Sequence, residues 1–298
     1  MMIGAFDIGG TNIKYGIVDD KGNIHFKSHV ATKAQEGGVV VVSQIIALVQ
    51  ELQKAYILDG VAVSTAGQVD NLEGKVIYAT DAIPGYTGVH IKRELEQAVR
   101  LPVVVDNDVN CTALGEYWKG AAQDSRYFLC MTFGTGIGGA IVHDGAVYRG
   151  ASFSAGEFGH MTLYPNGKIC TCGDRGCYEM YASSRALEQK AYEHFEGGDS
   201  LRGLFSEAKK GEKKAELIID QWVSDISLGM KTLIHVFNPS LVVMGGGISE
   251  QGEYLLEKLK AQVNQQIMSS FQRPLQLKFA QNGNDANLQG AVYQMITA

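Results

Sequence analysis

The sequence predicts an α/β protein built from two lobes. Three observations carry this. Apolar strand-like runs alternate with helical stretches, an opening three-strand pattern restarts near residue 127, and 298 residues are long for one core and about right for two.

The run 3–7 is short and apolar and breaks at Gly9-Gly10; 12–18 alternates and ends on the turn Asp19-Asp20-Lys21-Gly22; 24–30 follows as a third strand. Together they read as an antiparallel meander. Apolar residues at 42, 45, 46, 49 and 52 predict a helix over 39–52. A buried strand is expected at 60–64, an amphipathic helix at 89–98, an all-apolar strand at 101–105 and a helix at 110–119. The pattern then restarts with a strand at 127–133, a glycine loop at 134–139, a strand at 140–143, the turn Asp144-Gly145 and a strand at 146–148. Phe6-Asp-Ile-Gly-Gly-Thr resembles Phe133-Gly-Thr-Gly-Ile-Gly-Gly-Ala-Ile-Val, two hairpins that each carry glycines at the first bend. A long helix over 214–237, a strand at 241–244 ending in Gly245-Gly246-Gly247, a helix at 253–267, a strand at 275–280 and a terminal helix over 287–298 complete the chain. The boundary is placed near Lys119-Gly120. It gives an N-terminal lobe, 1–119, to which the helix 287–298 crosses back, and a C-terminal lobe, 120–286.

Composition narrows the function. Hydrophobic residues at 45% and charged residues at 19% are a globular balance, which excludes a disordered or fibrous chain. Thirty-six glycines against 5 prolines point to tight turns and close backbone approaches rather than to linkers. A net charge of −6 with no basic tract argues against nucleic acid as a partner. No uninterrupted apolar run approaches ~18 residues, so no membrane span is expected. The N-terminus does not read as a secretory signal, and 5 cysteines do not form an even disulfide framework; a cytoplasmic protein is expected.

Three glycine clusters stand out: Gly9-Gly10-Thr11, Gly134-Thr135-Gly136-Ile137-Gly138-Gly139, and Gly245-Gly246-Gly247. Glycine lets backbone N–H groups close on an anion with no Cβ in the way. The second cluster matches G-x-G-x-x-G, but a strand rather than a helix is expected after it, which rules out a dinucleotide fingerprint. A phosphate site shared by the duplicated hairpins is the reading preferred to plain turns. Asp7 fits beside it, since Mg²⁺ can lie between a carboxylate and phosphates; the other reading of Asp7 is a turn residue.

Asp106, Asn107 and Asp108 fall at the end of the strand expected at 101–105, where ligands of open α/β sheets gather. A carboxylate there can take the proton of an attacking alcohol, and an amide can bind sugar hydroxyls. Spacing alone favours the reading in which Asp108 or Asn110 caps the following helix. His160 with Cys170, Cys172 and Cys177 supplies the donor types of a closed structural zinc site, set in a polar loop where buried thiols seldom fall. Cys111 and Cys130 read as small core residues.

Taken together, these residues resemble the ROK family of bacterial sugar kinases and sugar-responsive repressors, in its zinc-containing branch. The resemblance covers essentially the whole chain. Asp7-Ile-Gly-Gly-Thr-Asn-Ile-Lys14 is similar to the family's first phosphate motif and 134–139 to its second. Ala155-Gly-Glu-Phe-Gly-His160, followed by Cys170-Thr-Cys-Gly-Asp-Arg-Gly-Cys-Tyr-Glu179, is similar to its signature. Met244-Gly-Gly-Gly-Ile248 resembles the adenosine-side turn, and Gly283-Asn-Asp-Ala286 the C-terminal motif.

The resemblance implies a two-lobed actin/hexokinase-type (ribonuclease H-like) ATPase fold with a duplicated βββαβαβα core. It implies Asp108 as catalytic base and Asn107, Glu157, His160, Glu179 and Gly67 at the sugar. ATP with Mg²⁺ would lie on Asp7, Gly9, Gly10, Thr11, Asn12, Lys14, Thr135, Gly136, Gly245 and Gly246. Zinc would be held by His160, Cys170, Cys172 and Cys177, and the assembly would be a homodimer. Two stretches depart from the family pattern, Thr65-Ala66-Gly67 where Pro-Gly is frequent and Asp81-Ala-Ile-Pro-Gly-Tyr86 where Asn-x-x-Gly-Trp is common. The expected activity is ATP-dependent phosphorylation of a hexose, glucose first, then N-acetylmannosamine or N-acetylglucosamine, and a β-glucoside last. The rival within the family is a sugar-sensing regulator, which carries a DNA-binding segment ahead of the first motif; here that motif starts at Asp7.

Overall fold

The computed structural model describes residues 1–194 and 201–297. Residues 195–200 of the expected C-terminal lobe, and Ala298 of the expected terminal helix, lie outside the described residues. The chain divides into two compact units: Met1–Arg126 with Val142–Ala155 and Gln281–Ala298, and Tyr127–Ile141 with Gly156–Ala280. The first unit thus runs past Lys119-Gly120 and takes in a returning segment, 142–155, besides the terminal helix.

In the first unit, β1 (Met2–Ile8), β2 (Asn12–Asp19) and β3 (Ile24–Ala31) form the meander. α1 (Gly38–Ala55), β4 (Gly60–Thr65), the short hairpin β5 (Gln68–Asp70) and β6 (Lys75–Tyr78), α2 (Ile91–Val99), β7 (Val103–Asn107) and α3 (Asp108–Lys119) follow. The sheet order is β3-β2-β1-β4-β7, antiparallel in the meander and parallel from β1 to β7. In the second half, β8 (Tyr127–Phe133), β9 (Ile137–His143) and β10 (Ala146–Val147) repeat the meander. α4 (Glu179–Ala182), α5 (Ser184–His194), α6 (Leu201–Lys209), α7 (Lys213–Phe237), β11 (Leu241–Gly246), α8 (Glu253–Gln266), α9 (Ser269–Gln272), β12 (Gln276–Phe279) and α10 (Asp285–Thr297) complete the order. Its sheet, β10-β9-β8-β11-β12, has the same topology as the first. The duplicated βββαβαβα core is therefore present in both sheets.

Period-two alternation sorts the first sheet's faces. Phe6, Ile8, Val61, Val63, Val103 and Val105 pack with Val41, Val42, Ile45, Val49 and Leu52 of α1 and Ile91, Leu95 and Val99 of α2. α1, with 18 residues at mean hydropathy 1.2, is by length and composition apolar enough to cross a membrane, and this core is where its apolar stripe lies. The opposite face, with Ile3, Ala5 and Ala62, meets Cys111 of α3 and Leu288, Ala291 and Val292 of α10. α3 and α10 approach closely because Gly115 sits against the Ala286 carbonyl and Gly290 against the Cys111 carbonyl; a Cβ at either would collide with backbone. The second unit's core gathers Leu129, Met131 and Phe133 of β8 with Ile219, Trp222 and Ile226 of α7 and Leu255, Leu259 and Val263 of α8.

Three expectations are corrected. The strand expected at 101–105 lies at Val103–Asn107, because α2 ends with Arg100 in a left-handed C-cap (φ 58°), and Leu101 and Pro102 make the turn. The glycine loop is shorter than 134–139: Ile137 already belongs to β9, as do Gly138 and Gly139. Gly245 and Gly246 lie within β11 rather than after it.

A buried carboxylate anchors the returning chain. Glu116 of α3 is 0% exposed and accepts from the backbone N–H of Ala121 (2.7 Å), Gln281 (3.0 Å) and Asn282 (2.9 Å). Each such donor left without a partner costs about 1–3 kcal/mol. Glu116→Ala is expected to lower unfolding stability by about 3–5 kcal/mol and Glu116→Gln by less, read as urea midpoints. An unchanged midpoint in the alanine variant would remove this anchor from the account.

Candidate active site

Register brings the first unit's polar groups into one row. Lys14, Asp7, Ser64 and Asp106 are paired neighbours across β2, β1, β4 and β7, all on the face covered by α3 and α10. Asp7 is 7% exposed. Its Oδ1 accepts from Ser64 Oγ (3.0 Å) and from Asn287 Nδ2 (2.9 Å), while Lys14 Nζ stands 3.8 Å from Oδ2. Lys14 also donates to Asn284 Oδ1 at 2.7 Å, tying the Asp7–Lys14 stretch to the 283–286 stretch. Asp106 is fully buried and paired with Arg149 at 2.5 Å, and it accepts from Asn110 Nδ2 at 3.0 Å.

Asp108 is the first residue of α3 and half-buried. Burial, with the Asp7 charge adding to it, pushes its carboxyl up to about 7. The cap of α3 is Asn107, not Asp108 or Asn110: its Oδ1 accepts from Val109 N (2.8 Å) and Asn110 N (3.2 Å). Its Nδ2 donates to the Gly67 carbonyl (2.9 Å) and to Asp108 Oδ1 (2.9 Å). Asn107 thus holds together the helix start, the Gly67 turn and the Asp108 carboxyl. Gly67 has φ 96°, and a side chain there would meet the Tyr78 carbonyl. The two departures from the family pattern meet each other: Thr65 Oγ1 and Tyr86 Oη lie 2.7 Å apart, both buried.

The first glycine turn is closed by Gly9 N donating to the Asn12 carbonyl at 3.0 Å, and Gly10, Thr11 and Asn12 are exposed. Around Gly10 a Cβ would meet nothing within 4 Å, so the turn offers an open approach to its backbone.

The second unit gathers another set. The turn after β8 is closed by Gly134 N donating to the Gly136 carbonyl at 3.0 Å, with Thr135 exposed. A Cβ at Gly136 would displace the Glu179 carboxylate, which lies where it would be. A cavity of about 500 Å³ runs from Gly134 and Thr135 past Arg185 and Trp222 to Gly247 and Ile248. Gly246, beside it, has φ 86° and sits against the Phe133 backbone. Gly245 requires neither that conformation nor that approach.

His160, Cys170, Cys172 and Cys177 converge, their ligand atoms all within 4.8 Å of one another. Cys172 and Cys177 sulfurs are 3.6 Å apart, and Cys170 Sγ is 3.7 Å from His160 Nδ1. A tetrahedron with Zn–S near 2.3 Å has edges of about 3.8 Å, so the donor set fits zinc in identity and spacing. Burial, with the neighbouring sulfurs, pushes the Cys177 thiol up to about 12, so a thiolate there calls for a cation. Nδ1 of His160 faces this cluster, and Nε2 lies 3.9 Å from Glu157 on the other side. Glu179 Oε1 accepts from Cys170 Sγ at 3.3 Å, and Oε2 accepts from Ile137 N at 3.3 Å. One carboxylate therefore links the cysteine loop to the second glycine turn.

Sequence reasoning missed Ser64, Asn287, Arg149 and Glu116. Ser64 follows from register once β1 and β4 are paired. Asn287 lies next to the Gly283–Ala286 stretch, but nothing local marks it as a partner of Asp7.

A glucokinase of Halalkalibacterium halodurans is 32% identical over 95% of this chain and 92% of its own length. A β-glucoside kinase of Listeria innocua is 32% identical over 99% of this chain and 98% of its own. The crystal structure of a Streptomyces griseus glucokinase in complex with glucose and AMPPNP superposes with TM-score 0.83, at 32% identity, covering 98% of each chain. The description of the ROK family matches residues 3–298, and the chain belongs to that family.

Proposed function

We propose that this sugar kinase transfers the γ-phosphoryl group of ATP to the 6-hydroxyl of glucose, with Asp108 as the general base. One observation carries the reading. Asp108 is a half-buried carboxyl with its pKa near neutrality, held at a helix start beside a glycine turn and a second carboxylate. A base of that strength can take the hydroxyl proton as the oxygen attacks. Asn107 has both amide hydrogens and both carbonyl lone pairs engaged. A sugar hydroxyl would replace Asp108 Oδ1 as its partner, which binds the sugar and removes one of the two donors on that oxygen, leaving the Val109 N–H. Glu157, His160 and Glu179 supply further hydroxyl contacts.

The triphosphate would lie on the exposed turns at Gly9, Gly10, Thr11 and Asn12 and at Thr135 and Gly136, with adenosine in the cavity leading to Gly246 and Ile248. Mg²⁺ would neutralise phosphate charge beside Asp7 and Lys14. Zinc on His160, Cys170, Cys172 and Cys177 would fill all its positions with protein and so hold shape rather than activate water. The family resemblance further suggests a homodimer.

Glucose is ranked first on the glucokinase relatives, N-acetylmannosamine and N-acetylglucosamine next, and a β-glucoside after them. A coupled ADP-release screen across hexoses, N-acetylhexosamines and β-glucosides tests the ranking. Glucose is expected to give the highest kcat/KM. A higher value for any other acceptor would replace glucose, and no turnover with any of them would end the proposal.

A further inference from the structure

Asp7 and Asn287 are 280 positions apart in the chain, yet their side chains are hydrogen-bonded at 2.9 Å. Three features bring them together. Gly115 and Gly290 let α3 and α10 approach backbone to backbone, which lays the start of α10 on the Asp7 face of the sheet. Glu116 fixes Gln281 and Asn282 just ahead of that helix. Thr112 Oγ1 donates to Asn287 Oδ1, which orients the amide so that its Nδ2 points at Asp7.

The consequence is an asymmetric carboxylate. Oδ1 of Asp7 takes two donors, Ser64 Oγ and Asn287 Nδ2, while among the described residues Oδ2 is faced by Lys14 at 3.8 Å. A carboxylate whose one oxygen is saturated by fixed donors cannot rotate freely, and its other oxygen is presented in one direction. We infer that Asn287 is a positioning residue for the nucleotide side of the reaction: it acts through Asp7, aiming Oδ2 toward Lys14 and the cation-bearing phosphates. The inference rests on the placement of Mg-nucleotide beside Asp7 proposed above. Asn287 touches no substrate in this account, and its effect belongs to Mg-nucleotide binding rather than to sugar binding.

The test uses the full chain with Asn287→Ala and Asn287→Leu. The leucine variant is nearly isosteric and lacks a donor, which guards against a loss that is only packing. MgADP is titrated calorimetrically, and KM is measured for MgATP and for glucose. Both variants are expected to weaken MgADP and raise the MgATP KM by about tenfold, the lower end for a hydrogen bond to a charged group, with the glucose KM held within about twofold. Unchanged MgADP affinity in both variants would overturn the assignment, as would equal shifts for glucose and MgATP. If the unaltered chain binds MgADP but phosphorylates no sugar, the glucose reading fails, and the calorimetric comparison still decides the role of Asn287.

Discussion

Asp108→Asn is expected to lower kcat by about 10²–10⁴ while glucose still binds, the range for loss of a general base. The substitution keeps the shape of the side chain and removes only its ability to take a proton. Near-normal turnover would remove Asp108 from the mechanism. The pH dependence gives a second reading. With its pKa at about 7, raised by burial and then by Asp7, Asp108 carries a proton below neutrality and cannot act as a base. The kcat/KM for glucose, which reports the free enzyme, should therefore rise with pH through about 7 and level off above it. Stability should run the other way. Between the ordinary carboxylate range and about 7 the folded chain holds a proton that the unfolded chain has released, so this group's contribution falls as pH rises through that window. Asp108→Asn removes the buried charge. Thermal melts near pH 8 should place the variant at or above the unaltered chain, and a variant that melts lower at that pH would contradict the raised pKa.

The architecture was legible where periodicity and turn chemistry agreed. The opening meander, α1 and α7 repeat every two or every 3.6 residues with clear turn residues between them, and their boundaries shift by few residues. The glycine loop at 134–139 was misread at its far end for a physical reason. Gly139 is glycine because Phe158 and the Gly156 carbonyl press on its backbone, so it marks a close approach inside a strand rather than a loop. The hairpin of β5 and β6 was invisible, since strands of three and four residues with a shifted register carry no period to read. At the site, the polar cluster at the end of β7 was legible as a group but not residue by residue. Strand alternation buries Asp106 on one face, the cap falls to Asn107, and only then does Asp108 open the helix. The Asp7 and Asn287 pair depends on helix packing between distant segments, which no local pattern encodes.

Removing zinc is expected to uncouple sugar binding from nucleotide binding. The loop from His160 to Cys177 is otherwise held by two isolated bridges, Thr162 with Cys177 and Ile169 with Arg175, by backbone bonds such as Leu163 N to the Gly176 carbonyl (2.8 Å) and Cys170 N to the Asp174 carbonyl (2.8 Å), and by Tyr164, whose hydroxyl donates to Asp225 Oδ1 (2.7 Å); its run from Thr171 to Arg175 is exposed. Its two ends carry the groups proposed for the sugar. His160 turns Nδ1 to the cluster and Nε2 toward Glu157, and Glu179 accepts from Cys170. Purified under reducing conditions, the chain should hold about one zinc, the stoichiometry of one His/Cys₃ set. Cys177→Ser, or treatment with a strong chelator, should abolish that metal and raise the glucose KM by at least about tenfold, as for loss of a structural ligand shell, with MgADP affinity changed far less. Cys130→Ala, in the buried strand β8 and away from the cluster, should keep the zinc. Absence of zinc from the reduced, purified protein would end the metal assignment. Metal loss with an unaltered glucose KM would instead separate the cluster from the sugar. Because Glu179 also fills the space at Gly136, a loop that loosens on the cysteine side still meets the second glycine turn. The expected signature is therefore a large change for the sugar and a small one for the nucleotide, not a collapse of both.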